Sequence, residues 1–89
     1  MILFLLIILG DYVKMAGSYQ KCSKTENSEH KVDSLLSCKE EAKENNASYF
    51  SYLNDLKLCF YGSACYPINT VVELPWNIYE RKAGKIVYI

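Results

Sequence analysis

The chain has 89 residues, of which 51% are hydrophobic, and 10 basic side chains balance 10 acidic ones, so that the formal net charge is zero. A chain of this length forms one domain with a modest hydrophobic core and usually needs a covalent staple. The balanced charge leaves no basic stripe to neutralise a phosphate backbone, which argues against nucleic acid as a partner.

The first ten residues form an apolar run that ends just before Asp11. This run is shorter than the roughly 20 residues of a membrane-spanning helix but has the length of a signal-peptide core. No Lys or Arg precedes it and no clean small-x-small cleavage site follows, so a truncated gene start or a buried strand remains an alternative. We expect residues 1–10 to be a leader and residues 11–89 to be one domain. Membrane contact is expected only if the leader is retained.

The segment that follows the leader mixes tyrosines and aliphatic residues with polar ones over residues 11–22. The interruption at Gly17-Ser18 indicates a bulge or bend, so this segment is predicted to be a first or edge strand. Residues 23–32 are polar and without periodicity, which predicts an exposed loop.

One helix is predicted, over residues 34–45. Leu35, Cys38 and Ala42 recur at helical spacing among charged residues, and they define the inner face. Ser34 or Asp33 can cap the start, and the pair at 45–46 can adopt the left-handed conformation that ends a helix. The charged residues at positions 39–41 and 43–44 are interpreted as a solvated face rather than as catalytic groups.

The second half of the chain is predicted to be mostly strand. Residues 49–53 and 56–61 are aromatic-rich runs joined by Asn54-Asp55, which indicates a β-hairpin. Residues 62–67 form a turn and residues 68–75 a connector of undefined form. Residues 76–81 alternate apolar and polar side chains, and residues 85–89 follow across an Ala83-Gly84 turn. Trp76 and Ile78 are expected to close the sheet.

Four cysteines, Cys22, Cys38, Cys59 and Cys65, in a short chain with an apolar leader favour two disulfides, although spacing alone allows three pairings. A zinc site is disfavoured because there is no C-x-x-C pair and nothing places His30, the single histidine, near a second ligand. A cysteine nucleophile would need that same histidine as its base. We therefore predict no cofactor and no enzymatic activity.

The order of these features resembles that of the PAN/apple domains over residues 12–81. The resemblance rests on a cysteine in the first strand, Ser34-Leu35-x-x-Cys38 opening a helix, the run Ala47-Ser48-Tyr49-Phe50-Ser51-Tyr52, the run Leu58-Cys59-Phe60-Tyr61, and a closing Trp76-Asn77-Ile78-Tyr79. It implies an α+β fold, in which one α-helix packs across an antiparallel sheet of about five strands. Domains of this family typically bind proteins or carbohydrates outside the cell.

The resemblance also implies the disulfide pairing. It pairs Cys38 with Cys59 and Cys22 with Cys65. The family's helix commonly carries a further cysteine that pairs with one before the aromatic strand, and Ala42 and Ala47 occupy those positions here. Both partners of that bridge are missing together, which leaves no lone thiol to exchange with other disulfides.

The candidate ligand-binding residues are aromatic side chains with charged neighbours, because aromatic faces stack on sugar rings and anchor protein interfaces. They are Tyr52, Tyr61, Tyr66, Trp76, Tyr79 and Arg81, with Lys57 nearby. The alternative is that most of these aromatic side chains pack in the core or at a sheet edge. Asn46-Ala47-Ser48 is an N-glycosylation sequon at the end of the helix.

These features together predict a secreted or extracellular, non-catalytic recognition module whose ligand is a protein or a carbohydrate. The alternative is a small secreted disulfide-rich inhibitor or effector that acts on another protein. The two alternatives differ in the expected strength of binding. A single recognition module binds weakly unless several copies are linked, whereas an inhibitor or effector should form a tight complex with one protein.

Overall fold

A computed structural model describes residues 5–7, 10–23, 28–82 and 86–88. These residues contain nine strands and one helix: β1 (Leu5–Ile7), β2 (Tyr12–Lys14), β3 (Gln20–Cys22), β4 (His30–Lys31), α1 (Leu35–Glu44), β5 (Tyr49–Leu53), β6 (Leu58–Gly62), β7 (Pro67–Asn69), β8 (Asn77–Arg81) and β9 (Ile86–Tyr88). Five strands form an antiparallel sheet in the order β2-β8-β5-β6-β4, while β1 pairs with β9 and β3 with β7. The predicted fold class, one helix on a sheet of five antiparallel strands, is confirmed.

The helix begins and ends where its sequence predicts. The Ser34 hydroxyl accepts a hydrogen bond from the Ser37 N–H at 3.2 Å, and the backbone of Ser34 is extended. At the other end the Asn45 N–H donates to the Glu41 carbonyl, and Asn46 takes a left-handed conformation with φ 53°. Short polar side chains favour both positions because they replace missing backbone partners and tolerate positive φ.

The sheet carries a separate hydrophobic cluster on each face, because successive residues of a strand point to opposite sides. On the helix side, Phe50 and Tyr52 pack with Tyr12, Cys38, Ala42, Ala47 and Cys59. On the other side Leu53, Phe60 and Ile78 pack with Cys22 and Trp76. The small β3–β7 sheet covers this second face, where the Gln20 N–H donates to the Trp76 carbonyl and the Cys22 N–H to the Ser51 hydroxyl.

One disulfide stands on each face of the sheet. Cys38–Cys59 joins the helix to β6, and Cys22–Cys65 joins β3 to the segment before β7. No cysteine is left free. These are the pairs that the resemblance to PAN/apple domains implies.

Several sequence-based expectations are wrong in detail. Residues 23–32 are not a loop throughout, because His30 and Lys31 form β4 and pair with β6. The hairpin turn spans residues 54–57 rather than two residues, and Lys57 has a left-handed backbone with φ 53°. Part of the turn and connector over 62–75 is strand β7. Leu35, predicted to face inward, is exposed.

The two ends of the chain meet in the β1–β9 pair. Residues 86–88, expected to follow β8 across a turn, form β9 and pair with residues 5–7 of the predicted leader. The rest of that leader, residues 1–4 and 8–9, and the predicted turn at 83–84 lie outside the described residues. Cleavage of the leader therefore stays a prediction. In the described part of the chain no helix has the length and apolarity needed to cross a bilayer.

Candidate functional site

Two of the predicted ligand-binding aromatics are core residues. Tyr52 lies under the helix, opposite Cys59 in the β5–β6 register. Trp76 lies on the other face, with its ring 5.1 Å from the ring of Phe60. Both are nearly fully buried. Their placement as surface aromatics was wrong: strand register turns Tyr52 toward the helix-side cluster, and Trp76, just before β8, packs in the cluster on the other face.

Three other candidates lie partly buried on the helix side of the sheet. Tyr79 stacks on Phe50 with ring centroids 4.6 Å apart, and burial raises the pKa of its phenol. Arg81 sits 5.6 Å from the centre of the Tyr12 ring and donates to the Gly10 carbonyl. Tyr61 accepts a hydrogen bond from the Asn45 side-chain amide at 3.3 Å, and burial is also the first cause of its raised pKa. These side chains are engaged in packing within the domain.

The sixth candidate, Tyr66, is 62% exposed and begins an apolar surface that the sequence did not single out. We call this the β7 surface; it comprises Tyr66, Ile68, Val71, Val72 and Leu74, all of them exposed. Val71 and Val72 are 58% and 68% exposed, which is unusual for neighbouring β-branched residues. The run of aliphatic residues suggested only a connector, because an exposed aliphatic residue and a core residue look alike in a sequence.

Main-chain contacts hold the β7 surface in place. Ile68 pairs with Lys21 across the β3–β7 ladder, and the Thr70 N–H donates to the Tyr19 carbonyl at 2.7 Å. Beyond the strand, the Leu74 N–H closes a turn onto the Val71 carbonyl at 3.0 Å. The next residues lead directly into the buried Trp76, which anchors the loop to the core. The exposed aliphatic side chains therefore stand on an ordered support.

A cleft of about 560 Å³ lies beside the β7 surface and shares Ile68 with it. Its other walls include Lys21, Glu29 and Phe60. Lys21 forms an ion pair with Glu29 at 3.0 Å and lies 5.2 Å from the centre of the Trp76 ring. This places an apolar surface next to a cleft with a polar pair, which makes the region a candidate site with area for contact and charges for orientation.

A smaller apolar groove of about 180 Å³ opens between the start of the helix and the sheet. Tyr12, Phe50 and Tyr79 form its floor, and Leu35 and Leu36 stand at the helix side. Both leucines are exposed. The groove is on the opposite face of the sheet from the β7 surface, so the two features are separate sites.

His30 has partners that the sequence did not predict. Its Nε2 lies 3.1 Å from a carboxylate oxygen of Glu41, and its Nδ1 lies 3.0 Å from the Ser28 carbonyl oxygen. The expectation that nothing places this histidine near a second potential ligand is therefore wrong. Strand β4 brings His30 beside the helix, and no local sequence signal marked a strand of two residues.

Comparison with known proteins finds no matching protein-family model, no matching curated protein and no matching solved structure. The function is therefore inferred from the surfaces and contacts of the chain itself.

Asn46, the acceptor of the predicted glycosylation sequon, is exposed at the end of the helix. Its backbone has positive φ, and its N–H donates to the Lys43 carbonyl at 3.0 Å. The following residues are a buried alanine and an exposed Ser48. A glycan on this side chain would point away from the core, and its attachment stays a prediction.

Proposed function

We propose that this chain is an extracellular, non-catalytic recognition module of the PAN/apple type that binds a protein through the β7 surface. Two disulfides in a domain of this size indicate an oxidising environment of the extracellular kind. In this proposal the sheet, the helix and the disulfides form a rigid support, and the β7 surface is the part that contacts the ligand. The ligand is assigned to the class of proteins by the chemistry of that surface.

The exposed apolar character of the β7 surface carries the proposal. Five exposed apolar side chains lie within residues 66–74, and a large exposed apolar patch usually marks an interaction site. Four of its five side chains are aliphatic and Tyr66 is its one aromatic ring, so most of its area offers no face for a sugar ring to stack upon. The Lys21–Glu29 pair in the neighbouring cleft provides the polar rim that protein interfaces usually have. This combination favours a protein ligand over a carbohydrate.

The contact between Ala42 and Ala47 supports the family assignment. Both residues are buried on the helix side, and the Ala47 N–H donates to the Ala42 carbonyl at 2.9 Å. The resemblance places a further disulfide of the family at these two positions. A pair that replaces a bridge must lie close in space, and this pair does.

The chemistry available in the described residues favours binding over catalysis. All four cysteine sulfurs are held in disulfides, which removes the thiolate that a cysteine nucleophile requires. His30 is engaged by Glu41 and by a backbone carbonyl.

A binding experiment with matched surface variants tests this proposal. The oxidised chain is immobilised and exposed in parallel to a panel of extracellular proteins and to a glycan array. Val72→Asp should weaken the binding of any protein ligand at least about tenfold, because it places a charge in the centre of an apolar contact. Leu56→Asp is the control, since Leu56 is similarly exposed in the β5–β6 turn.

Binding of glycans alone, or protein binding that Val72→Asp leaves unchanged, would contradict the proposal. A tight one-to-one protein complex that abolishes the partner's activity would instead favour the inhibitor or effector alternative, which uses the same surface. Circular dichroism of both variants establishes that each is folded before binding is compared.

A further inference from the structure

We propose that reduction of the Cys38–Cys59 disulfide converts its surroundings into a zinc site with four protein ligands: the two thiolates, His30 Nε2 and the Glu41 carboxylate. The His30 nitrogen, a Glu41 oxygen and the Cys59 sulfur all lie within 4.8 Å of one another. The Cys38 sulfur is bonded to the Cys59 sulfur and therefore lies beside this group. The disulfide and the metal are then two alternative ways of joining the helix to the sheet.

The backbone presents these four residues as two pairs. Cys38 and Glu41 are three positions apart on α1, so their side chains lie on the same face of the helix. His30 and Cys59 are directly opposite each other in the antiparallel β4–β6 pair. The helix therefore supplies two candidate ligands, and the two adjacent strands supply the other two.

The distances suit a zinc ion. Tetrahedral zinc binds nitrogen and oxygen at about 2.0–2.2 Å and sulfur at about 2.3 Å, which separates the ligand atoms by roughly 3.3–3.8 Å. His30 Nε2 lies 3.1 and 3.3 Å from the two Glu41 carboxylate oxygens. Once the S–S bond is broken, the two sulfurs move apart to the ligand spacing. Thiolate, imidazole and carboxylate are all ligands that zinc accepts.

The hydrogen bonding of His30 selects the nitrogen that would bind the metal. Nδ1 faces the Ser28 carbonyl oxygen, which can only accept, so Nδ1 carries a proton. Nε2 faces the Glu41 carboxylate, which also only accepts when ionised. With Nδ1 donating to the Ser28 carbonyl, Nε2 is the ring nitrogen left to bind a metal ion beside Glu41. A backbone contact at the second ring nitrogen is the usual support of a zinc-bound histidine.

The site is closed on the sulfur side and open on the other. Cys38 and Cys59 are fully buried, whereas the side chains of His30 and Glu41 are 34% and 38% exposed. Reduction by a low-molecular-weight thiol transfers two electrons to the disulfide, giving two cysteine thiols and the disulfide of the reductant. Zinc then displaces the two thiol protons, which are released to solvent, and exchanges no electrons.

The test uses the full chain with Cys22→Ser and Cys65→Ser, so that the only thiols are Cys38 and Cys59. The chain is reduced with a phosphine and titrated with Co²⁺, a spectroscopic probe for zinc, and then with Zn²⁺. We expect a one-to-one complex with the intense visible bands of tetrahedral cobalt and a sulfur-to-cobalt charge-transfer band. Zn²⁺ should displace the cobalt, and about two protons should be released per metal ion bound.

Ligand variants distinguish this site from chance chelation by two thiolates. His30→Ala and Glu41→Gln should each weaken Co²⁺ binding at least about tenfold. Glu44→Gln, on the same helix but outside the cluster, should leave the affinity unchanged. Unfolding of the metal-free chain does not compromise the test, because the spectrum reports the ligand set directly and metal binding can drive folding.

Three results would overturn the proposal. The first is equal affinity in the His30→Ala and parent chains. The second is an octahedral cobalt spectrum. The third is an equally tight complex in a chain that keeps Cys22 and Cys65 but carries Cys38→Ser and Cys59→Ser.

Discussion

The phenol of Tyr12 donates a 2.5 Å hydrogen bond to the main-chain carbonyl of Ala47, which lies 35 residues away in the sequence. This bond ties edge strand β2 to the junction between the helix and β5. The Tyr12 ring also lies edge-on to Phe50, with ring centroids 4.9 Å apart. One side chain therefore fills the core and satisfies a buried backbone acceptor.

Tyr12→Phe should lower the free energy of unfolding by about 1–3 kcal/mol, because the buried Ala47 carbonyl loses its partner while the ring is kept. Urea unfolding of the oxidised chain measures this change. Tyr66→Phe is the control and should change stability by less than about 0.5 kcal/mol, since Tyr66 is largely exposed. Equal effects of the two substitutions would show that the hydrogen bond contributes nothing.

Asp11 should contribute to the acid sensitivity of the domain. A hydrogen bond from the Tyr12 N–H is the first cause that lowers the pKa of the Asp11 carboxyl below the ordinary value of 3.8. The positive charges of Lys39 and Lys43 lower it further. A lowered pKa in the folded state gives stability that is complete above pH 3.8 and is lost as the pH falls through the folded value. Asp11→Asn should therefore destabilise the domain near neutral pH and have little effect at the acid end.

Unfolding midpoints of the parent and Asp11→Asn chains, measured across the acid range at low salt, test this prediction. The difference between the two chains should shrink as the pH falls below 3.8. It should also shrink in high salt, because the ion pairs to Lys39 and Lys43 are exposed. A difference that stays constant with pH would assign the effect to something other than the charge. Asp55→Asn, in the exposed β5–β6 turn, is the matched control.

Regular periodicity explains which parts of the fold the sequence predicts. The helix and strands β5, β6 and β8 have clear patterns of period 3.6 or 2, and all four are present. Strands β4 and β7 have two and three residues, too few to show a period. Their pairing with β6 and β3 is a long-range contact that no local pattern specifies.

The exposed β7 surface was harder to predict than the fold for the same reason. Val71 and Val72 have the composition of a core strand, and only the folded structure shows that they are exposed. Tyr52 and Trp76 are aromatic residues of the kind that binding surfaces use, yet the fold buries both. His30 lies beside Glu41 because strand β4 pairs with β6. No local sequence pattern predicts that pairing, so the cluster of His30, Glu41 and Cys59 could not be predicted from the sequence.

A substitution at Lys57 tests the backbone conformation of the β5–β6 turn, which the sequence predicts to span only residues 54–55. Its φ of 53° is costly for a residue with a Cβ, by roughly 1–2 kcal/mol. Lys57→Gly should remove that strain and raise the free energy of unfolding by about 0.5–1 kcal/mol after the entropy cost of a glycine. Lys82→Gly, at an exposed position without positive φ, should not stabilise. Destabilisation by Lys57→Gly would show that this turn is not strained.

Removal of the Cys38–Cys59 bridge should weaken the domain severely. The bridge spans 21 residues, and its loss through Cys38→Ala and Cys59→Ala should cost about 3 kcal/mol by the chain-entropy treatment. For a small domain this can be most of the net stability, so we expect cooperative thermal unfolding to disappear. Calorimetry of the double variant tests this, and melting like the parent would contradict it.

The positions of Ala42 and Ala47 allow a third disulfide to be built. Their backbones are in contact through the 2.9 Å hydrogen bond, and both side chains lie in the helix-side cluster. Ala42→Cys with Ala47→Cys should therefore oxidise to a third bridge, with no thiol left to alkylate in the unfolded, unreduced chain. The short loop limits the gain to about 2 kcal/mol, measured as a shift in urea unfolding. Pairing of either new cysteine with a native one, or two thiols that stay reduced in the folded chain, would contradict the proposed relationship to the PAN/apple domains, because the family's third bridge would then have no counterpart at these positions.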